Sequence, residues 1–233
     1  MNYSFYEIYI TAQRAFTAMG FPYGADEDAA YIIAWLELNN FKGIVLLADK
    51  LNELNQKFEG KIKLNNLNEN INFENKSILM KGSGLIDFLK AELEIKDQIS
   101  VNIINCKEGI LFLPLLYKNS EFLKFSKLSF CYSDDGMKIY EIIDNKIIYY
   151  TKKNKDLLNQ NEITIFMSKN KINSNNHFGS EIISEKKIQQ NLSRSLKPET
   201  KAWYEVSMIA NKTFVPESDE SRNKGAGGGD DND

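Results

Sequence analysis

The sequence has 233 residues and a formal net charge of −3, from 29 Lys and Arg against 32 Asp and Glu. An apolar content of 42% is enough for a packed core, so the composition excludes a wholly disordered chain. No apolar run reaches the roughly 20 residues of a membrane span, and two cysteines cannot build a disulfide framework or a CxxC zinc site. We therefore expect a cytoplasmic protein with no membrane partner and no metal site.

Helices are predicted for the first fifty-odd residues. The first follows the capping box Ser4-Phe5-Tyr6-Glu7, in which the serine hydroxyl and the glutamate carboxylate cap each other's backbone amides. It ends at Gly20, the second begins with Asp26-Glu27-Asp28, and the third covers 44–54. We expect a helical block over residues 1–57.

The spacing of apolar residues changes after about residue 60. Residues 72–80 are predicted to be extended, followed by a turn at Lys81-Gly82-Ser83-Gly84 and a helix over 85–93. Further strands are predicted at 101–106, 127–132, 138–143, 146–151 and 163–167. Short turns between consecutive strands are typical of an antiparallel meander. Helices return at 183–192 and 198–211.

These elements predict an α+β fold, in which the N-terminal helical block packs on a mostly antiparallel sheet and a C-terminal helix leads into an extended tail. The expected division is a helical block over 1–57, an α+β body over 58–214 and a Gly-rich acidic tail over 215–233. We expect one compact domain plus the tail.

The glycine turn is a candidate anion-binding site. Backbone amides of Gly82, Ser83 and Gly84 at the start of a helix could hold a phosphate or a carboxylate, with Arg222 as a further cation. The segment lacks the P-loop pattern and the longer glycine fingerprint of dinucleotide folds. A plain tight turn is the alternative interpretation.

Three side chains are weak candidates for catalysis: Ser83, Cys106 and His177. His177 is the only histidine and suits a general base near neutral pH. Cys106 would be a nucleophile if Lys107 lowered the pKa of its thiol. The alternatives are a solvated loop histidine and a buried core cysteine. No motif in the sequence indicates which cofactor, if any, the protein binds.

Positive charge comes almost entirely from lysine, which supplies 26 of the 29 basic residues and leaves Arg14, Arg194 and Arg222. Lys and Glu are interspersed along the chain instead of forming a cationic cluster, so no nucleic-acid partner is expected. Acidic residues cluster at the end: 215–233 carries −4, and the other 214 residues carry +1.

We predict that this tail docks on a partner. The docking residues would be Ser221, Gly225, Gly227, Asp231 and Asp233. A glycine run permits a tightly threaded path, and acids can contact a cationic pocket. A disordered acidic tail is the alternative.

The chain resembles an uncharacterised bacterial family of unknown function. The resemblance rests on Val215-Pro216, Ser221-Arg222, Gly225-Ala226-Gly227 and Asp231-Asn232-Asp233, with Trp35-Leu36-Glu37 and the segment 81–87 also fitting. That family implies no established activity.

The first fifty residues also resemble the N-terminal helices of the type II malate/L-lactate dehydrogenases. The residues that carry this resemblance are Ala15, Gly20, Asp28-Ala29, Ala34, Leu38 and Lys42-Gly43-Ile44. Those enzymes continue with a Ser-His-Gly that supplies the catalytic histidine, whereas this chain has Val45-Leu46-Leu47. The resemblance therefore does not bring the dehydrogenase activity with it.

We predict an accessory or small-molecule-binding protein associated with organic-acid or amino-acid catabolism, acting as a homodimer or with a partner protein. One alternative is an enzyme on small organic acids or amides, with Ser83 or Cys106, His177 and Arg222 in one pocket. The other is a purely structural subunit.

Overall fold

The computed structural model describes residues 2–62, 70–133, 136–153, 159, 161–172 and 179–214. The α-helices in these ranges are α1 (Phe5–Ala18), α2 (Ala25–Leu38), α3 (Gly43–Ala48), α4 (Leu51–Leu54), α5 (Ile78–Ile95), α6 (Leu113–Lys118), α7 (Glu185–Leu192) and α8 (Thr200–Ala210). The strands are β1 (Ile71–Asn72), β2 (Gln98–Ile104), β3 (Phe125–Ser133), β4 (Gly136–Ile143), β5 (Lys146–Lys153), β6 (Ile163–Ser168) and β7 (Ser180–Ile183). Within the described part of the chain, no helix is long and apolar enough to cross a membrane.

The strands form one mixed sheet in the order β1-β2-β6-β3-β4-β5-β7. Only β1 and β2 pair in parallel among the described strands, and every other neighbouring pair is antiparallel. Strands β3, β4 and β5 form the predicted meander, with hairpins of the short length that antiparallel neighbours favour. The α+β fold predicted from the sequence is confirmed.

The helices pack on one face of the sheet and share a single core with it. Period-2 alternation turns one set of strand side chains toward the helices, including Val101, Leu128, Ile142 and Ile165. On the opposite face, Met137, Ile139 and Tyr150 form a second, smaller cluster. The main core includes residues from both the helical block and the body, and the division at residue 57 stays a prediction.

The capping box at the chain's first helix is confirmed. The Glu7 amide donates to Ser4 Oγ at 3.2 Å, and the Ser4 amide donates to Glu7 Oε2 at 2.7 Å. The hydrogen bonds that the Glu7 carboxylate accepts from the Ser4 amide and the Ser4 hydroxyl lower the pKa of Glu7. The first helix therefore begins where its local sequence indicates.

The predicted glycine turn is wrong, because Lys81, Gly82, Ser83 and Gly84 lie inside α5. The helix begins after Ser77, whose hydroxyl accepts the Leu79 amide at 3.2 Å. The segment predicted to be extended over 72–80 instead contains the last residue of β1, a loop and the first residues of α5.

Three smaller corrections concern element boundaries. The helix predicted over 44–54 is broken into α3 and α4. The helix predicted from residue 183 begins at Glu185, because the short strand β7 precedes it. The last helix predicted from Pro198 begins at Thr200, where the Glu199 carboxylate accepts the amides of Lys201 and Ala202.

Candidate functional site

A cavity of about 270 Å³ lies where the end of α2 meets the end of α7. We call it the Arg194 cavity. It is lined by Glu37, Leu38, Asn40, Asn191, Arg194, Ser195, Leu196 and Lys197. The lining combines two cations, one carboxylate, two side-chain amides and a hydroxyl, so it offers both charge and directional hydrogen bonds to a small ligand.

The end of a helix and an isolated β-bridge hold the walls of this cavity. Helix α2 ends in a left-handed residue, Asn40 at φ 64°, and the Phe41 amide donates back to the Leu36 carbonyl at 2.8 Å. On the other wall, Leu196 exchanges two backbone hydrogen bonds with Tyr3, at 2.9 and 2.7 Å. The cavity therefore joins segments that are more than 150 residues apart in the sequence.

Glu37 is the carboxylate of the Arg194 cavity, and it also supports the fold. Its Oε2 accepts the backbone amide of Ile44 at 3.0 Å, near the start of α3. Burial raises the pKa of the Glu37 carboxyl above its usual 4.5, although the hydrogen bond from Ile44 acts in the opposite direction. The site thus contains a carboxyl group that binds its proton more tightly than an ordinary glutamate in water does.

The two cations of the Arg194 cavity are not used in ion pairs within the described part of the chain. Arg194 and Lys197 are both exposed, and neither lies within ion-pair distance of a described carboxylate. Their charges are therefore available to an anion that enters the cavity. An arginine guanidinium matches a carboxylate with two parallel hydrogen bonds.

A second cavity, of about 150 Å³, lies beyond the carboxyl ends of β1 and β2. We call it the Lys50 cavity. It is lined by Lys50, Glu53, Asn75, Lys76, Ser77 and Lys107. Lys50 is buried and forms ion pairs with Glu108 at 2.7 Å and Glu53 at 3.2 Å. The two cavities are separate, because no lining residue is shared.

The described structure includes two of the three residues predicted for catalysis, Cys106 and Ser83. Cys106 is buried, and its thiol contacts the Lys107 carbonyl at 3.8 Å. Burial and the charge of Glu108 raise the pKa of Cys106 to about 12, so the thiol stays protonated. Lys107 therefore does not activate it as predicted, and Ser83 lies inside α5.

The predicted anion site at the glycines also changes. Gly82 and Gly84 lie in the second turn of α5 rather than before its start, so the amides that were to hold the anion belong to the interior of a helix. His177, Arg222 and all of the predicted docking residues in 215–233 lie outside the described residues. Their proposed roles stay predictions.

The residues of the Arg194 cavity were not identified from the sequence. They come from two remote segments, and no motif spacing links 37–40 to 191–197. The sequence contained one signal for this cavity: arginine is rare in the chain, so each arginine is a candidate for a specific role. Arg14 places its guanidinium 4.8 Å from the ring centre of Phe214, which explains it structurally, whereas Arg194 lines a cavity.

Among the described residues, no group of three or more His, Cys, Asp or Glu side chains is placed to hold an ion. The hydrogen-bonding and cationic side chains of the Arg194 cavity instead suit an organic anion.

Comparison with known sequences identifies a family of unknown function. Residues 3–108 match the sequence model of a family described as "Protein of unknown function (DUF3726)". The resemblance to a family without an established activity is thereby confirmed over these residues. No curated protein matches the chain by sequence.

Comparison with solved structures extends the dehydrogenase resemblance from the first fifty residues to nearly the whole fold. An E. coli protein assigned to malate/lactate dehydrogenase superposes with a TM-score of 0.65 at 7% identity, covering 93% of this chain and 96% of that one. Malate dehydrogenase from Pyrococcus horikoshii gives 0.61 at 9% identity, covering 94% and 97%. Sulfolactate dehydrogenase from Methanocaldococcus jannaschii gives 0.58 at 8% identity, covering 91% and 97%. At such identities the likeness establishes the fold alone.

Proposed function

We propose that this protein is an accessory protein of organic-acid metabolism that binds a small carboxylate anion in the Arg194 cavity. The observation that supports the proposal is the lining of the cavity, where Arg194 and Lys197 lie with two amides and a hydroxyl. Guanidinium and ammonium groups attract a carboxylate, and the neutral polar groups fix its orientation.

The size and the walls of the cavity favour a small ligand. A volume of about 270 Å³ suits an acid of few carbon atoms, and Leu38 and Leu196 supply apolar walls for its carbon chain. The fold neighbours are named for malate, lactate and sulfolactate, which are all small carboxylates. This chemical agreement supports the same class of ligand here.

The segment at the place of the dehydrogenases' catalytic Ser-His-Gly supports binding rather than turnover. Val45-Leu46-Leu47 occupies the place of the Ser-His-Gly, and these residues lie in α3. Leu47 is fully buried, while Val45 and Leu46 pack against the core. Apolar side chains cannot transfer a proton, so these residues stabilise the helix packing instead.

An enzyme of the oxidoreductase type is the second candidate, favoured by a fold shared with dehydrogenases over more than nine-tenths of the chain. It would require catalytic groups other than the histidine of the dehydrogenase step.

Docking through the tail remains part of the first proposal. It is supported by the segregation of −4 of charge into residues 215–233.

Calorimetric titration of the full chain with malate, lactate and succinate tests the proposal. Arg194→Lys keeps the charge but removes the bidentate geometry, so we expect its Kd to rise about tenfold. Arg14→Lys is the matched control, since Arg14 contacts Phe214 and does not line the cavity.

Failure of all three acids to bind, or equal effects of the two substitutions, would overturn carboxylate binding at this site. Conversion of a bound acid in the presence of a nicotinamide cofactor would replace the accessory role with the enzymatic one.

A further inference from the structure

The Lys50 cavity has a stronger cationic lining than the Arg194 cavity. Its walls carry three lysines, Lys50, Lys76 and Lys107, against a single carboxylate, Glu53. The lining residues alone therefore have a net charge of +2, while Glu108 and Glu59, outside the lining, pair with Lys50 and Lys76. A concave surface concentrates such a charge and raises the local concentration of anions.

Lys50 forms the buried part of this lining. Its side chain is 8% exposed, and its ammonium group pairs with Glu108 and Glu53. Burial lowers the pKa of Lys50, but the hydrogen bonds and charges of the two glutamates outweigh burial and raise it overall. An ammonium group has three N–H donors, so two ion pairs leave one donor for a ligand.

Lys107 and Lys76 complete the cationic wall from two different loops. Lys107 is exposed and has no ion-pair partner within the described residues. Lys76 is 37% exposed and pairs with Glu59 at 2.8 Å, outside the cavity lining. The three lysines thus come from three separate segments of the chain and line one cavity.

The first turn of α5 adds a polar group and a dipole. Ser77 is the N-cap of this 18-residue helix, and its hydroxyl accepts the Leu79 amide. The hydroxyl proton of Ser77 is not used in that bond and can be donated to a ligand. The N-terminus of a long helix also favours negative charge nearby.

The loops that carry these groups are fixed to each other beyond the paired strands. The amides of Phe73 and Asn75 donate to the carbonyls of Ile104 and Asn105, each at 3.0 Å. The Asn105 side chain also donates to Asn72 Oδ1 at 3.0 Å. The cationic groups therefore lie on a hydrogen-bonded frame, which reduces the entropy lost when a ligand binds.

We propose that the Lys50 cavity is a second ligand site, which binds a phosphate group as free phosphate or as a phosphate monoester. A tetrahedral dianion presents several acceptor oxygens in different directions, and the lysines that line this cavity come from three separate segments of the chain. Lysine suits this role as a point charge, whereas the flat carboxylate matches the single fork of an arginine. A volume of about 150 Å³ admits one phosphate group.

Titration of the full chain, followed by ³¹P NMR and calorimetry, tests this site with inorganic phosphate and glycerol 3-phosphate in separate arms. We expect Lys107→Gln to raise the Kd about tenfold, because the substitution removes a charge that has no ion-pair partner among the described residues. Lys186→Gln removes the same charge from an exposed position on α7, outside the lining, and is the matched control.

Absence of saturation with both ligands up to about 10 mM, or equal weakening by the two substitutions, would overturn the proposal. Lys50→Met provides a second test, after circular dichroism has shown that the variant is folded. A folded Lys50→Met protein that binds phosphate as tightly as the wild type would also overturn it. Arg194→Lys should leave phosphate binding unchanged, which separates this site from the carboxylate site.

Discussion

Two glycines of the helical part, Gly43 and Gly84, have opposite surroundings. A Cβ atom at Gly43 would lie 2.1 Å from the Ile33 carbonyl oxygen and 2.9 Å from the Glu37 amide. A Cβ atom at Gly84 would have no atom of the described residues within 4 Å, apart from its chain neighbours and the backbone of its own helix. Gly43 therefore permits the close approach of α3 to α2, which also holds one wall of the Arg194 cavity, whereas Gly84 faces open space.

Replacing each of the two glycines by alanine tests this difference, and we expect the larger change in the free energy of unfolding at Gly43. Gly43→Ala places a methyl group against backbone atoms of α2, which cannot move without shifting the helix. We expect the free energy of unfolding to fall by about 3 kcal/mol. Urea unfolding followed by circular dichroism measures this change, and an unaltered midpoint would show that α3 does not depend on the close approach.

The contact between Glu37 and Ile44 is the second link between α2 and α3. Glu37→Ala leaves the Ile44 amide without its acceptor in a partly buried place, so we expect a loss of about 1–3 kcal/mol. Glu37→Gln retains an acceptor oxygen and should recover most of that stability. Equal destabilisation by both variants in urea unfolding would contradict a role for the hydrogen bond.

A further test compares the stability of Glu37→Gln with that of the wild type as the pH changes. Because burial raises the pKa of Glu37, the native state holds its proton more tightly than the unfolded state. The associated stability is present below the usual pKa of 4.5 and is lost as the pH rises through the raised value. Glu37→Gln does not titrate, so its stability relative to the wild type should increase from about pH 4.5 to 7. A constant difference over that range would contradict the shift.

Local signals made most of the fold predictable from the sequence. The capping box at Ser4 and Glu7 depends on residues three apart, and the meander over 125–153 depends on short turns between β-branched segments. Such features are decided by neighbours in the chain. The start of α5 was missed because Gly82 and Gly84 were interpreted as a turn, although Ser77 carried the N-cap signal.

Tertiary packing explains why Gly82 belongs to a helix. A Cβ atom there would lie 2.7 Å from Ile78 Cγ2 and 3.3 Å from Leu115 Cδ1. Burial of the surrounding apolar residues offsets the weak helix propensity of glycine, and a single sequence does not display such contacts. Both cavities were unpredictable for the same reason, since segments remote in sequence form their walls.

Gly84→Ala is the smallest of the expected changes and has the opposite sign to Gly43→Ala. Gly84 is exposed inside α5, and the added methyl group meets no atom, so packing is unaffected. Alanine restricts the unfolded chain more than glycine and favours the helix, which should stabilise the protein by about 0.5–1 kcal/mol. The measurement is again urea unfolding, in parallel with Gly43→Ala. A destabilised Gly84→Ala protein would show that this position contacts something in solution, and the contrast between the two glycines would then be lost.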